Sequence, residues 1–360
     1  MPSATIDLGA LADNVATLRR RLAPETELLA AVKANAYGHG AAPVARKLQS
    51  YGVSWFGVAT ADEALELREA GVSGRILLFS PVWDRIDELA ANDVTLVVTD
   101  ERDLEAACGS GSDLKIHLKV DTGMGRLGHD GRQAVYLAEK IDRATKLALE
   151  GVWTHLACAD EVDPAYTERQ LERFDELLNT LRVQGIEPPV RHAANSAGVI
   201  AHQRSHFDLV RPGIGLYGYH ASRHVESLEP NLKPILTVSA PVTFVKRVRE
   251  GTAVSYGATW QATRDTTVAT VRYGYADGYP RLLGNRAAVN VQGEFRPVVG
   301  RVCMDQLMVD VGDLVVRAGE RVILFGPDGP TAQDLAEQVG TISYELLTNV
   351  APRVKRSYHG

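Results

Sequence analysis

Lys33 stands directly after an apolar run, Leu28-Leu29-Ala30-Ala31-Val32. A lysine at the end of a buried strand is desolvated, sheds its proton readily, and becomes an amine nucleophile suited to Schiff-base chemistry. Farther along the chain come Ala194-Asn195-Ser196 and the turn Arg211-Pro212-Gly213-Ile214-Gly215. A hydroxyl beside backbone N–H groups with no side chain in the way suits a phosphate. Between them lie Asp121-Thr122-Gly123-Met124-Gly125-Arg126 and His155, a second set of polar groups. The three cysteines, Cys108, Cys158 and Cys303, are too few and too scattered for a disulfide framework and fit a reducing compartment. No C-x-x-C or H-E-x-x-H spacing occurs, so no metal site is signalled.

The elements that must position these groups follow a repeat. Leu8, Leu11, Val15, Leu18 and Leu22 share one face of a first helix, with Asp7 placed to cap it. Short apolar runs at 27–32, 55–59, 76–79, 94–98, 114–120, 147–153, 190–193 and 207–210 read as strands. Helical patterns at 41–50, 61–70, 84–91, 101–107, 132–144 and 166–183 separate most of them. Eight such units most simply close as a (β/α)8, TIM-like barrel. The alternative is an open doubly wound sheet, against which stands the lack of a G-x-G-x-x-G turn. After Ser222 a polar stretch with two prolines, 222–234, reads as a linker, and β-branched segments bounded by Gly and Pro then predict a mostly-β domain. The expected division is 1–225 and 226–360, with residues 1–6 able to pair with the β-domain.

In such a barrel the strand C-termini build the site, and the loops after strands seven and eight bind phosphate. Lys33, the 121–126 turn, His155, Asn195, Ser196 and the Arg211 turn all fall there. A Schiff-base lysine opposite a phosphate cradle is what pyridoxal phosphate demands. At this point the sequence resembles the pyridoxal-phosphate-dependent alanine racemases. The likeness is carried by Val32-Lys33-Ala-Asn-Ala-Tyr37-Gly-His-Gly, Lys119-Val-Asp-Thr-Gly-Met-Gly-Arg126-Leu-Gly, Thr154-His155-Leu-Ala and Ala194-Asn195-Ser196. It continues through Arg211-Pro-Gly-Ile-Gly-Leu-Tyr-Gly, Ser255-Tyr256-Gly, Gly274-Tyr275-Ala-Asp-Gly-Tyr-Pro-Arg281 and Gly300-Arg301-Val-Cys303-Met304-Asp305-Gln, in family order and over the full length.

The resemblance implies roles. Lys33 would hold the cofactor and carry one proton, and Tyr256 would be the second base on the opposite face, with His155 and Arg211 as its cationic neighbours. Arg211 would face the pyridine nitrogen. A guanidinium keeps its proton, so it can only donate to an unprotonated ring nitrogen, which weakens the electron sink and favours reprotonation at Cα. Tyr37, Ser196, Gly213, Ile214 and Tyr344 would bind the phosphate, and Asn195 and His155 would border the cofactor. Arg126 and the Met304 N–H would bind the substrate carboxylate. Lys119 matches a position carbamylated in some relatives. Asp160, Tyr275, Arg281, Arg301 and Ile342 resemble residues of the access corridor, with Cys303 and Asp305 beside Met304. Tyr256 and Tyr344 would gate the site against side chains larger than methyl. The implied assembly is a homodimer whose subunits share two active sites, and the implied task is supply of D-alanine for peptidoglycan.

Composition narrows the remaining classes. With 45 acidic and 39 basic residues, net charge −6, nothing favours a nucleic-acid surface. No run approaches the ~18 apolar residues of a membrane span, and the first residues lack the pattern of a signal peptide, so a cytoplasmic enzyme is expected. A broader small-amino-acid racemase, acting on serine for example, remains open. A decarboxylase of this architecture would set a carboxylate, not Arg211, against the pyridine nitrogen. A single-barrel cofactor-binding protein would need neither Tyr256 nor Cys303-Met304-Asp305.

Overall fold

The computed structural model describes residues 1–360. It divides into two compact units. One comprises 12–36 and 41–232, the other 1–11, 37–40 and 233–360. Strand β1 (Ser3–Asp7) runs into the helix Leu8–Arg19. Asp7 Oδ1 accepts the N–H groups of Gly9 and Ala10 at 2.8 and 2.9 Å, the cap its position predicts.

The first unit is a parallel barrel. Its strands are β2 (Glu27–Ala31), β3 (Trp55–Val58), β4 (Arg75–Leu78), β5 (Val94–Val98), β6 (Leu114–Lys119), β7 (Leu147–Trp153), β8 (Val190–His192) and β9 (Leu209–Val210). They pair in sequence order from β2 to β8, with β9 on the far side of β2. The remaining seam is bridged by Asp208 N–H to Arg191 O (3.1 Å) and Arg211 N–H to Ala194 O (2.9 Å), so the barrel is nearly closed. Strands covered on both faces must be apolar throughout, and Trp55–Val58 and Val94–Val98 are wholly buried.

Three departures from the sequence expectation stand out. The fourth helix starts at Ile86, because Arg85 adopts φ 58°. β9 starts at Leu209, because Phe207 has φ 48°. The expected linker holds a helix, Arg223–Leu228, which Ser222 caps by accepting the Val225 N–H at 3.3 Å.

The second unit is mostly β. It contains β10 (Leu236–Val248), β11 (Ala253–Val254), β12 (Trp260–Gln261), β13 (Thr266–Val271), β14 (Ala288–Val291), β15 (Glu294–Pro297), β16 (Leu307–Gly312), β17 (Arg321–Phe325) and β18 (Lys355–His359). The first half of β10 pairs with β1 and β17 and the second half with β13, which continues to β16. β1 also pairs in parallel with β18, Ser3 opposite Lys355. Two helices, Ala332–Val339 and Ser343–Thr348, complete the unit. No helix in the chain is long and apolar enough to cross a membrane.

Candidate active site

Lys33 sits at the rim of β2, half-buried, and the backbone beyond it turns left-handed. Ala34, Asn35, Ala36 and Tyr37 have φ of 50°, 55°, 53° and 52°. Each such residue costs roughly 1–2 kcal/mol, and strain of this kind persists only where the surroundings over-determine it. Here they do. Glu63 Oε1 accepts the Ala34 N–H at 2.6 Å and its Oε2 accepts that of Ala59 at 2.8 Å. Asn35 Oδ1 accepts the Ala41 N–H at 2.7 Å. Gly38 follows at φ 84°, where an added Cβ would lie 2.1 Å from Leu347 O. Burial lowers the Lys33 pKa, the Arg126 and Arg211 charges lower it further, and Glu63 opposes them. Its Nζ lies 6.0 Å from the Phe79 ring centroid.

Arg211 is the hub of the mouth. It is buried, and its Cζ lies 4.7 Å above the Trp153 ring. Nη1 donates to His192 Nδ1 at 2.9 Å. Nη2 donates to Thr154 O at 2.8 Å and Ala193 O at 3.0 Å and lies 3.3 Å from His155 Nδ1. No carboxylate faces it; Asp208, three residues before it, is held by Arg191 at 2.7 Å. Burial, reinforced by the Arg126 charge, brings Arg211 down to about 9, so it remains a cation at neutral pH. Burial also drives His155 and His192 well below the ordinary imidazole range, with the Arg211 charge adding to both. Two neutral imidazoles therefore flank one buried cation.

Ser196 Oγ accepts two N–H groups, from Gly213 at 2.9 Å and from Gly215 at 3.2 Å. The turn thus offers less than its glycines suggest. Two of its amides are spent on Ser196, leaving the hydroxyl proton and the Ile214 N–H. Asn195 builds the same corner: Oδ1 caps the helix Ser196–Ala201 through the Gly198 N–H at 2.9 Å, and Nδ2 donates to Leu156 O at 3.3 Å. In the 121–126 turn the Asp121 carboxylate accepts the N–H groups of Gly123, Met124 and Gly125 at 2.8–3.1 Å, which carries the exposed Arg126 on a rigid loop. Lys119 is buried, with Nζ donating to Val120 O at 2.5 Å and 5.2 Å from the Trp153 ring. Burial brings it down to about 7. Asp160 accepts from Ser222 Oγ at 2.7 Å through its carbonyl and makes none of the mouth's hydrogen bonds.

The other unit gathers its own set. Tyr256 is 70% exposed, which is not the position of a packed core aromatic. Its neighbour Ser255, at φ 68°, donates from Oγ to Arg301 O at 2.6 Å and lies 3.6 Å from Cys303 Sγ. Tyr275 N–H donates to Cys303 O at 3.1 Å and Ala276 N–H to Met304 O at 3.0 Å. Asp305 is held by Arg353 at 2.8 Å. Tyr256, Tyr275, Arg301, Cys303, Met304 and Asp305 thus lie on loops tied to one another. Arg281 opens the short turn 281–283, and Ile342 is exposed just before the helix that carries Tyr344. The Tyr37 and Tyr344 rings stand 5.9 Å apart. Burial pushes the Tyr37 phenol up to about 12, so it stays a donor.

His117, Glu150, Trp153 and His192 stand on barrel strands and belong to none of the sequence motifs. A histidine within a barrel strand is the available signal.

Residues 6–221 match the family model described as alanine racemase, N-terminal domain, and residues 235–358 that described as alanine racemase, C-terminal domain. The chain is 42% identical to the alanine racemase of Desulforamulus reducens over 99% of its own length and 98% of that protein's. It is likewise 42% identical to that of Thermobifida fusca over the same shares. Among solved structures, the alanine racemase of the D-cycloserine producer Streptomyces lavendulae superposes with a TM-score of 0.95 at 38% identity, covering 100% of this chain and 97% of that one. The Bacillus anthracis alanine racemase, solved with bound L-Ala-P, gives a TM-score of 0.94 at 36% identity over 100% and 95% of the two chains. The nearly closed barrel, the β unit and these full-length matches agree: the chain belongs to the alanine racemase family.

Proposed function

We propose that this protein interconverts L-alanine and D-alanine through bound pyridoxal phosphate, with Lys33 and Tyr256 as the two proton carriers. The observation that carries the reading is the barrel mouth itself. Lys33, Lys119, Arg126 and Arg211 share one field, and no carboxylate pairs with Arg126 or Arg211. Such a site calls for an anionic ligand. The donor set also fits the cofactor: a half-buried amine of lowered pKa, a hydroxyl beside a free backbone N–H, a protonated phenol, and a guanidinium. Of the five guanidinium N–H groups, Arg211 commits one Nη1 and both Nη2 protons, so Nε–H and one Nη1–H remain for a ligand acceptor.

When bound, pyridoxal phosphate supplies the sink for the electron pair left at Cα as its proton departs. Lys33 would hold the cofactor through Nζ. Ser196, Ile214 N–H, Tyr37 and Tyr344 would hold the phosphate, with Gly213 shaping its loop. Arg211, which keeps its own proton, would donate to the ring nitrogen and so favour return of the proton to Cα. Arg126 and the Met304 N–H would orient the substrate carboxylate. Lys33 and Tyr256 would take and return the Cα proton on opposite faces. Tyr256 and Met304 would come from a second copy of the chain, with Asp160, Tyr275, Arg281, Arg301, Cys303, Asp305 and Ile342 lining the approach. Lys119, held near neutrality, would react with carbon dioxide as the free amine, and its carbamate would steady Arg126. Its task would be that of the family, D-alanine supply for the cell wall, and the work would lie in the cytoplasm. Purified protein loaded with pyridoxal phosphate and given L-alanine should yield D-alanine on chiral analysis. A loaded protein that yields none overturns the reading.

A further inference from the structure

Behind Arg211 the hydrogen bonds continue down the barrel, away from the mouth. His192 Nδ1 faces Arg211 Nη1 at 2.9 Å, and His192 Nε2 faces His117 Nδ1 at 2.8 Å. His117 Nε2 then faces Glu150 Oε2 at 3.3 Å, off the ideal line. Glu150 Oε2 also accepts from Thr95 Oγ1 at 3.1 Å, and Arg75 lies 3.6 Å from Oε1. The ends of this chain set its direction. A guanidinium only donates and a carboxylate only accepts. His192 Nδ1 must therefore accept, which puts its proton on Nε2. That proton goes to His117 Nδ1, which puts the His117 proton on Nε2, facing Glu150. Neither ring has a second neutral tautomer that satisfies both of its neighbours.

The backbone is shaped for this. The β6–β7 register shifts between Ile116 opposite Leu149 and His117 opposite Gly151, so Glu150 is the extra, bulged residue. A Cβ at Gly151 would stand 2.6 Å from His117 Cε1. Only a glycine leaves the ring its place.

We propose that Glu150 and His117 are positioning residues that hold the His192 ring in place behind Arg211 and, through it, fix the orientation of the Arg211 guanidinium. The part played by Arg211 rests on the preceding section; the direction of the relay does not.

The test is ring-nitrogen NMR of the full-length, cofactor-loaded protein labelled with 15N-histidine, with kcat and KM for L-alanine measured alongside. In the wild type both His117 and His192 should be neutral with the proton on Nε2. Glu150→Gln, whose amide oxygen still accepts, should keep that pattern. Glu150→Leu and His117→Phe should leave the His192 proton on Nε2 under the Arg211 bond but shift the His192 ring-nitrogen signals as its Nε2 partner is loosened or lost, and lower kcat roughly 10-fold, as loss of orienting partners behind a site commonly does, with KM changed less than about 2-fold. If His117→Phe does not fold, Glu150→Leu, at the edge of the barrel, carries the test. A wild-type His192 protonated on Nδ1 overturns the relay, as do wild-type His192 signals in Glu150→Leu. Shifted His192 signals with unchanged kcat overturn the positioning of Arg211. The tautomer readout needs no turnover, so expected His192 signals in a protein that makes no D-alanine would sink the proposed activity and spare the relay.

Discussion

Replacing Gly151 by alanine should test how tightly the barrel interior is built around His117. The new Cβ would meet His117 Cε1, Nδ1 and Nε2 at 2.6, 2.7 and 2.8 Å. Carbon atoms pack comfortably at about 3.5–4.0 Å, so the ring must retreat by roughly 0.9 Å. It has nowhere easy to go. It is fully buried, held at 2.8 Å by His192, with Trp55 at 5.6 Å between ring centroids. Overpacking of this kind costs about 1–3 kcal/mol, and the stretched His117–His192 bond about 1 kcal/mol more. Against this stands the ordinary benefit of Gly→Ala, about 0.4–1 kcal/mol, gained by restricting the unfolded chain. The net is a loss of about 1–3 kcal/mol, so the sign itself is informative. Urea unfolding followed by tryptophan emission would measure it, since Trp55, Trp83 and Trp153 all lie in the barrel unit and only Trp260 does not. In the H117A background the clash is gone and the same substitution should become neutral or stabilising, a coupling of about 2 kcal/mol. G151A stabilising the wild type, or costing the same in both backgrounds, refutes the steric reasoning.

Three further outcomes are expected. Ser196→Ala leaves the Gly213 and Gly215 N–H groups without their acceptor, at roughly 1–3 kcal/mol for each buried donor. Cofactor retained after dialysis should fall at least 10-fold, and full retention would remove Ser196 from the cradle. Tyr256→Phe should slow Cα-proton exchange from L-alanine in deuterium oxide by roughly 10²–10⁴-fold, while cofactor content stays unchanged because the ring is exposed. An equal loss of cofactor would make Tyr256 structural. Lys119 has a folded pKa of about 7 against an ordinary 10.5. Below about 7 its burial cost is fully present; from there to about 10.5 the unfolded state holds more protons, so wild-type stability rises with pH. In bicarbonate-free buffer the advantage of Lys119→Met should therefore shrink by about 2 kcal/mol between pH 7 and pH 9, and a constant difference would contradict a buried free amine.

The βα repeat was legible in the sequence because burial writes it locally. Most barrel strands are apolar runs, the longer helices have a 3.6-residue apolar face, and Asp7 stands where a cap belongs. The positions of Lys33, Arg126, His155, Ser196 and Arg211 followed, since strand ends map to one mouth. The strand Lys355–His359 carries no apolar run and was invisible, because its place comes from pairing with Ser3–Asp7 at the opposite end of the chain. The helix Arg223–Leu228 hid in a polar stretch for the same reason: its stability comes from a cap and its surroundings, not from its composition.

The site divides along the same line. Residue types and spacing settled which groups are present, because an amine, a guanidinium and a hydroxyl have fixed donor and acceptor capacities wherever they stand. Folding settled how those capacities are spent. It turned residues 34–37 left-handed behind Lys33, used the Gly213 and Gly215 amides on Ser196, and gave Asn195 a capping task. It also brought His117 within 2.8 Å of a histidine 75 residues away, with the Glu150 bulge facing it from the other side. No local pattern encodes such a juxtaposition. It arises where strands distant in sequence become neighbours, and there the low dielectric of the interior makes an unpaired polar group costly.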